Sequence, residues 1–201
     1  MSEGLLLVIS GPSGAGKGTV VRELCRDERF ALSTSVATRP PRPGEKDGVD
    51  YFFISREEFF RMRDSGELLE STDFVRNCYG TPLFFVEQQI GSGKILVLEI
   101  DVIGALQVRD KFKDAVLVFL IPPDKNELKK RITERATENA SIIDDRMRRA
   151  DEEIELIHKY DYLVVNDKVD NVIRDIDAII NAELLKPARK RHEIDKFKGG
   201  I

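Results

Sequence analysis

Residues 5 to 20 read LLLVISGPSGAGKGTV, and this stretch decides the fold. Leu5 to Ser10 is a short continuous apolar run, which suits a strand buried on both faces of a parallel sheet. It leads straight into Gly11-Pro12-Ser13-Gly14-Ala15-Gly16-Lys17-Gly18-Thr19, and a helix is expected beyond. A glycine-rich turn between strand and helix points successive backbone N–H groups at one spot, where the helix dipole also favours negative charge. Lys17 adds a full positive charge for outer phosphates. The spacing is that of a nucleotide phosphate-binding loop, with Gly18 where a hydroxyl residue is usual. Gly18 removes the customary side-chain ligand, so Mg²⁺ arriving with a nucleotide is expected to be held mainly by nucleotide oxygens and water. Thr19 still offers its N–H and hydroxyl to an inner phosphate.

Three further apolar runs follow, Ile95 to Ile100, Ala115 to Ile121 and Tyr162 to Val165, and the segments between them are helical in spacing. Val172, Ile173, Ile176, Ile179, Ile180 and Leu184 recur on one helical face, as do Ile143, Met147, Ala150, Ile154 and Ile157. Strands alternating with helices predict an α/β three-layer domain of the P-loop type around a parallel sheet, with ligands at the carboxyl ends of the strands. Two stretches break the rhythm. Residues 34–83 contain Thr38-Arg-Pro-Pro-Arg-Pro-Gly44, which cannot be helical, and Val49 to Ile54, which reads as a strand of a mixed sheet. We expect an inserted lobe there. Residues 125–150 are dense in charge and carry Arg131, Arg135, Arg146, Arg148 and Arg149 on amphipathic patterns, as a helical cover would. The core is then 1–33, 84–124 and 151–201, within one domain.

The whole chain has 201 residues, 41% hydrophobic and 34% charged, enough for one substantial core. A net charge of -4 gives no ground for wholesale binding to nucleic acid or acidic membranes. No apolar run approaches the roughly 20 residues that span a bilayer. The N-terminal apolar run lacks a basic flank and enters the glycine loop, so it belongs to the fold rather than to a signal peptide. Cys25 and Cys78 are too few for a disulfide scaffold and fit a reducing cytoplasm. Basic residues concentrate after Lys186, where Pro187 and the final glycines suggest a solvated tail.

Within the inserted segment stand Ser35-Val-Ala-Thr-Arg-Pro-Pro-Arg-Pro-Gly-Glu45, Asp47-Gly-Val-Asp-Tyr-Phe-Phe53, Gly66-Glu-Leu-Leu-Glu70 and Tyr79-Gly-Thr-Pro82, with Leu98-Glu-Ile-Asp101 beyond them. In order and spacing, together with GPSGAGK before them, these resemble the guanylate kinases over nearly the whole chain. Two departures stand beside the match: Ser71 occupies a place where many members have tryptophan, and Cys78 one where an aromatic residue commonly precedes Tyr79. The resemblance implies transfer of the γ-phosphate of ATP to GMP or dGMP, with Mg²⁺ as cofactor. It implies ATP on the loop from Gly11 to Thr19 and GMP in the lobe.

Arg39 and Arg42 lie three apart in a proline-stiffened segment, so two planar forks can be held on one phosphate with little entropy to lose. By resemblance they grip the phosphate of GMP, helped by the hydroxyls of Tyr51 and Tyr79. Guanine presents N1–H and N2–H₂ donors side by side, and a carboxylate matches both. The resemblance gives that role to Glu70, with Ser35 and Thr81 around the ring and Asp101 as a further acceptor near N2. Glu99 belongs to the same GMP-side set, and Glu99 and Asp101 can also accept hydrogen bonds from the metal's waters. Neither is expected to touch the metal directly.

Phosphoryl transfer asks a protein mainly to align reactants and stabilise charge. Arg131 and Arg135, four apart, share a helical face, and Arg146 starts the helix of the second apolar stripe. By resemblance these three arginines act with Lys17 on the ATP phosphates when the cover closes. Asn166 and Asp167 follow the last apolar run, where this fold meets the adenine of ATP, although Asn-Asp is also an ordinary strand-ending turn. Two rival readings are a kinase for another nucleoside monophosphate and a scaffold-type guanylate kinase-like domain that binds peptides without catalysis. Glu70 with Ser35 argues against the first, and Lys17 with the arginine set against the second. Oligomeric state stays open.

Overall fold

The computed structural model describes residues 4–74, 76–135 and 140–199. β1 (Leu5–Ser10) is the middle of five parallel strands, with β2 (Phe30–Leu32) and β7 (Ile95–Glu99) to one side and β8 (Val116–Ile121) and β9 (Tyr162–Val165) to the other, in the order β2-β7-β1-β8-β9. Alternate residues of β1 serve opposite layers. Leu5, Leu7 and Ile9 pack with Val20 and Leu24 of α1 (Lys17–Leu24) and with Val172, Ile176 and Ile180 of α7 (Val169–Leu184). Leu6 and Val8 pack with Val86 of α3 (Leu83–Gly91) and with Ala105 and Val108 of α4 (Val102–Lys111). Both faces of the sheet are therefore covered, as the apolar runs require. Burying such a side chain stabilises the fold by roughly 1.5–3 kcal/mol. Because all five strands run the same way, the ends of β1, β7 and β9 bring the glycine loop, Glu99 to Asp101 and Asn166 to one edge.

The inserted segment forms a second sheet, β4 (Phe52–Phe53), β3 (Val36–Ala37), β6 (Asn77–Pro82) and β5 (Leu68–Phe74) in that order, with β3 and β4 parallel and the other pairs antiparallel. Its small core is Val36, Phe59, Met62, Leu68 and Cys78. Phe59 and Met62 come from α2 (Arg56–Asp64), whose N-cap Ser55 Oγ accepts from the Glu58 N–H at 3.1 Å. Of the expected strand Val49 to Ile54 only Phe52 and Phe53 pair in the sheet. The stretch before them is a turn pinned by Asp50 Oδ2 accepting from Lys46 N at 2.7 Å and Asp47 Oδ1 from Phe53 N at 2.8 Å.

Residues 125–150 carry α5 (Lys125–Arg135) and the start of α6 (Ala140–Ile154), joined through Leu128, Ile132 and Ala150 with Ile143 and Met147 against them. Arg146 therefore lies in the middle of a helix that begins at Ala140, not at its start, and α6 runs on past residue 150. The basic tail differs from a purely solvated one. Glu183 is buried, accepts from Tyr162 Oη at 2.7 Å and pairs with Lys186 Nζ at 2.6 Å, while Arg189 donates to the Asp114 carbonyl at 2.6 Å. A buried carboxylate needs such partners, and they draw the start of the tail onto the core. Arg191 to Phe197 then forms α8. Among the described residues no helix is long and apolar enough to cross a membrane.

Candidate active site

The glycine loop is shaped by contacts that only glycine admits. Gly16 caps α1 at φ 90°, and a Cβ there would lie 2.4 Å from Asn166 Nδ2. At Gly11, with φ 140°, a Cβ would lie 2.1 Å from the Leu120 carbonyl oxygen. Asn166 is buried and donates from Nδ2 to the Ala15 carbonyl at 2.8 Å, so its amide braces the loop from the neighbouring strand end. Lys17 curls over the loop, with Nζ 2.5 Å from Gly11 O and 3.2 Å from Pro12 O. Above it lies α5: the space beside Gly14 is filled by Ile132 and Leu128 at 3.0 and 3.2 Å from a Cβ built there. Arg131 reaches down from α5. Its Nε donates to Glu127 Oε1 at 2.8 Å and its Nη2 to the Asn166 carbonyl at 3.1 Å. A cavity of about 330 Å³ opens here between Gly14, Gly16, Thr19, Arg131, Asn166 and Asp167. Arg146 of α6 is partly exposed. The Arg135 side chain lies outside the described residues.

A second cavity of about 190 Å³ is lined by Ser35, Tyr51, Glu70, Thr72, Tyr79, Glu99, Ile100 and Asp101. Glu70 is 3% exposed, and Thr81 Oγ1 donates to its Oε1 at 2.8 Å. Burial pushes the Glu70 carboxyl up to about 7, with Asp101 adding to the rise and Thr81 and Lys111 opposing it. A buried acceptor of this kind awaits donors. Asp101 N-caps α4, its Oδ1 accepting from Gly104 N at 2.7 Å.

Arg39 lies behind this cavity, against its lining residue Tyr51. Its guanidinium lies over the rings of Tyr51 at 5.0 Å and Phe53 at 5.5 Å from their centroids. Glu45 grips it end-on, Oε2 accepting from Nη1 at 2.6 Å and Oε1 from Nη2 at 2.8 Å. That grip raises the Arg39 pKa further and holds Glu45 down to about 2. Arg39 Nε is buried and, among the described residues, meets no acceptor. Nε is thus the unsatisfied donor on the side edge of the fork, where a phosphate oxygen can meet it. Tyr51 and Tyr79 meet edge to face at 6.1 Å, whereas Arg42 stands exposed at the rim, its N–H donating to Glu45 Oε2 at 2.8 Å. Glu45 escaped the sequence reading as one more charge in a turn.

Glu99 links the second cavity to the glycine loop. It lines the second, and a Cβ at Gly18 of the loop would lie 3.4 Å from its Oε1 and 3.5 Å from its Oε2. The side chain missing at position 18 leaves a place faced by this carboxylate. Glu153 of α6 is a further group that the sequence did not single out. Burial pushes its carboxyl up, and Lys17 is the largest charge opposing that rise. Cys78 is buried and its thiol is raised by desolvation, so it is not a reactive group. Among the described residues no group of three or more His, Cys, Asp or Glu is placed to hold a metal ion.

Comparison with known proteins shows what the chain as a whole is similar to. Residues 3–183 match the family model described as guanylate kinase. The chain is 47% identical over 199 residues to the guanylate kinase of Latilactobacillus sakei subsp. sakei (strain 23K), covering 98% of this chain and 97% of that protein. It is 49% identical over 196 residues to that of Halalkalibacterium halodurans, covering 96% of each. The crystal structure of guanylate kinase from Anaplasma phagocytophilum superposes with a TM-score of 0.75 at 32% identity, covering 100% of this chain and 98% of that one.

Proposed function

The chain belongs to the guanylate kinase family, and from that premise we propose that it transfers the γ-phosphate of ATP to GMP, or to dGMP, giving ADP and GDP or dGDP. The observation that carries this reading is a buried carboxylate, Glu70, in a cavity that shares Glu99 with the phosphate loop.

ATP lies on the loop from Gly11 to Thr19, with its phosphates on the backbone N–H groups and Lys17 and its base toward Asn166 and Asp167. The Asn166 amide holds the loop in shape while its backbone carbonyl holds Arg131. GMP lies in the lobe. Its phosphate meets the Nε edge of Arg39, the rim guanidinium of Arg42 and the hydroxyls of Tyr51 and Tyr79. Its guanine donates N1–H and N2–H to Glu70, with Thr81, Ser35 and Asp101 about the ring. Catalysis then consists of alignment and charge stabilisation: Arg131, Arg135 and Arg146 converge on the moving phosphoryl group as the 125–150 cover closes over the 34–83 lobe. Closure excludes water that would otherwise hydrolyse ATP.

The residues present suit Mg²⁺ arriving with ATP, because Gly18 supplies no direct ligand and the Glu99 carboxylate faces that place. Glu99 and Asp101 would accept from waters on the ion. When bound, Mg²⁺ offsets the charge of the phosphates. The unpaired Cys25 and Cys78 support a reducing cytoplasm as the setting.

A coupled assay of ADP release, with ATP and each of GMP, dGMP, AMP, CMP and UMP, tests the assignment. Turnover is expected with the two guanine nucleotides alone. Turnover with AMP at a comparable rate would point to another monophosphate kinase, and none with any acceptor to a binding domain.

A further inference from the structure

Glu70 does not stand in a regular ladder. β5 is the outer strand of the lobe's sheet, and its register against β6 slips: Leu68 pairs with Pro82 but Ser71 with Gly80. Three steps along β5 thus face two along β6, which is a bulge. Inside it, Leu69 enters the core beside Val86, Ala105 and Val108, and Glu70 enters the second cavity. An outer strand has a row of unpaired N–H and C=O groups, and a bulge weakens the pairing on its other side. Such a strand is a poor platform for a side chain that must meet two donors at fixed positions.

Helix α4 corrects this from the core. The Gln107 side chain does what a neighbouring strand would do: its Oε1 accepts from Ser71 N at 3.0 Å and its Nε2 donates to Ser71 O at 3.0 Å. One turn on, Lys111 Nζ donates to Leu68 O at 2.9 Å. The two contacts hold the bulge at its two ends. One turn before Gln107, α4 closes on the carboxylate itself, since a Cβ at Gly104 would lie 3.2 Å from Glu70 Oε2. Residues 104, 107 and 111 have the three-and-four spacing of a single helical face.

We propose that Gln107, assisted by Lys111, is a positioning residue for base selection: it clamps the bulged edge strand to the core so that the Glu70 carboxylate meets the purine in one fixed orientation. The inference rests on Glu70 as the reader of guanine. It also gives Ser71 a purpose that its side chain does not reveal, since only its backbone is used.

The test compares GMP with IMP, which keeps N1–H and lacks the 2-amino group. In Gln107→Met, of similar length but unable to make either bond, kcat/KM for GMP should fall by about 10- to 100-fold. The fall should reside in the KM for GMP, with the KM for ATP unchanged and the GMP/IMP preference reduced by about tenfold or more. Lys111→Met should shift the same ratio in the same direction by less, and it serves if Gln107→Met does not fold. A merely structural role would lower thermal stability and kcat for both acceptors alike. An unchanged GMP/IMP ratio in both variants overturns the clamp. A wild-type enzyme indifferent between GMP and IMP overturns the Glu70 reading itself, and the clamp's purpose with it.

Discussion

Replacement of Glu70 by alanine should lower kcat/KM for GMP by about 10⁴-fold or more, since a site built to pair a donor depends on that pairing to about this extent. The KM for ATP should hold, because the phosphate loop is braced separately by Asn166. Steady-state kinetics with each substrate varied in turn measures both, and a loss of less than tenfold would remove Glu70 from base recognition. The effect should also depend on pH. Guanine donors need the ionised carboxylate, and burial pushes Glu70 up to about 7. For the wild type, kcat/KM for GMP is therefore expected to rise as pH climbs through about 7, and Glu70→Gln should lose that rise. The sign for stability is the reverse. Between the ordinary carboxylate range and about 7 the folded protein holds a proton that the unfolded chain has lost, so stability falls as pH rises across that window. The shift from 4.5 to about 7 corresponds to about 3 kcal/mol, so Glu70→Gln should melt higher than the wild type at pH ~8, well above the window, in the absence of GMP. A binding site kept at the expense of folding stability is the expected pattern for function.

Arg131→Ala should reduce kcat by about 10³-fold or more, the range found for arginines that meet the charge of a transferring phosphoryl group. Arg131 is held before substrate arrives, by Glu127 along its own helix and by the Asn166 carbonyl beneath it. A donor fixed in advance needs no reorganisation during reaction. Its loss should appear in kcat more than in either KM, because the loop's N–H groups and Lys17 remain to bind ATP. Arg131→Lys should recover only part of the activity, since an ammonium cannot reproduce the planar fork that spans both anchors. A kcat within tenfold of wild type in Arg131→Ala would remove Arg131 from the catalytic set.

The core was legible because its central strands β1, β7 and β8 are buried on both faces, while the edge strand β9, which leaves Leu163 and Val165 exposed, was legible as an apolar run. Four apolar runs coincide with β1, β7, β8 and β9 to within a residue or so at their ends. β2 was missed since it has only three residues and leaves Leu32 half exposed, too short for any period to register. The lobe was harder. Leu68 to Phe74 and Asn77 to Pro82 read LLESTDF and NCYGTP, without alternation, because one of them bulges and both line a polar cavity. There the ordered motifs, not periodicity, identified Glu70, Tyr79 and Thr81. Arg39 was found through its prolines, but its dependence on Glu45 was hidden, since nothing local distinguishes a carboxylate that orients an arginine from one that faces water. Gln107 had no sequence signal at all, because its partner is a backbone 36 positions away in the chain.

A crystal structure of the ternary complex with ADP and GMP tests the two-cavity arrangement most directly. Guanine N1 and N2 should lie within hydrogen-bond distance of the Glu70 carboxylate, and the GMP phosphate on the Nε edge of Arg39, facing the diphosphate on the glycine loop. Guanine bound anywhere else, or a monophosphate whose oxygens point away from the loop, would contradict it.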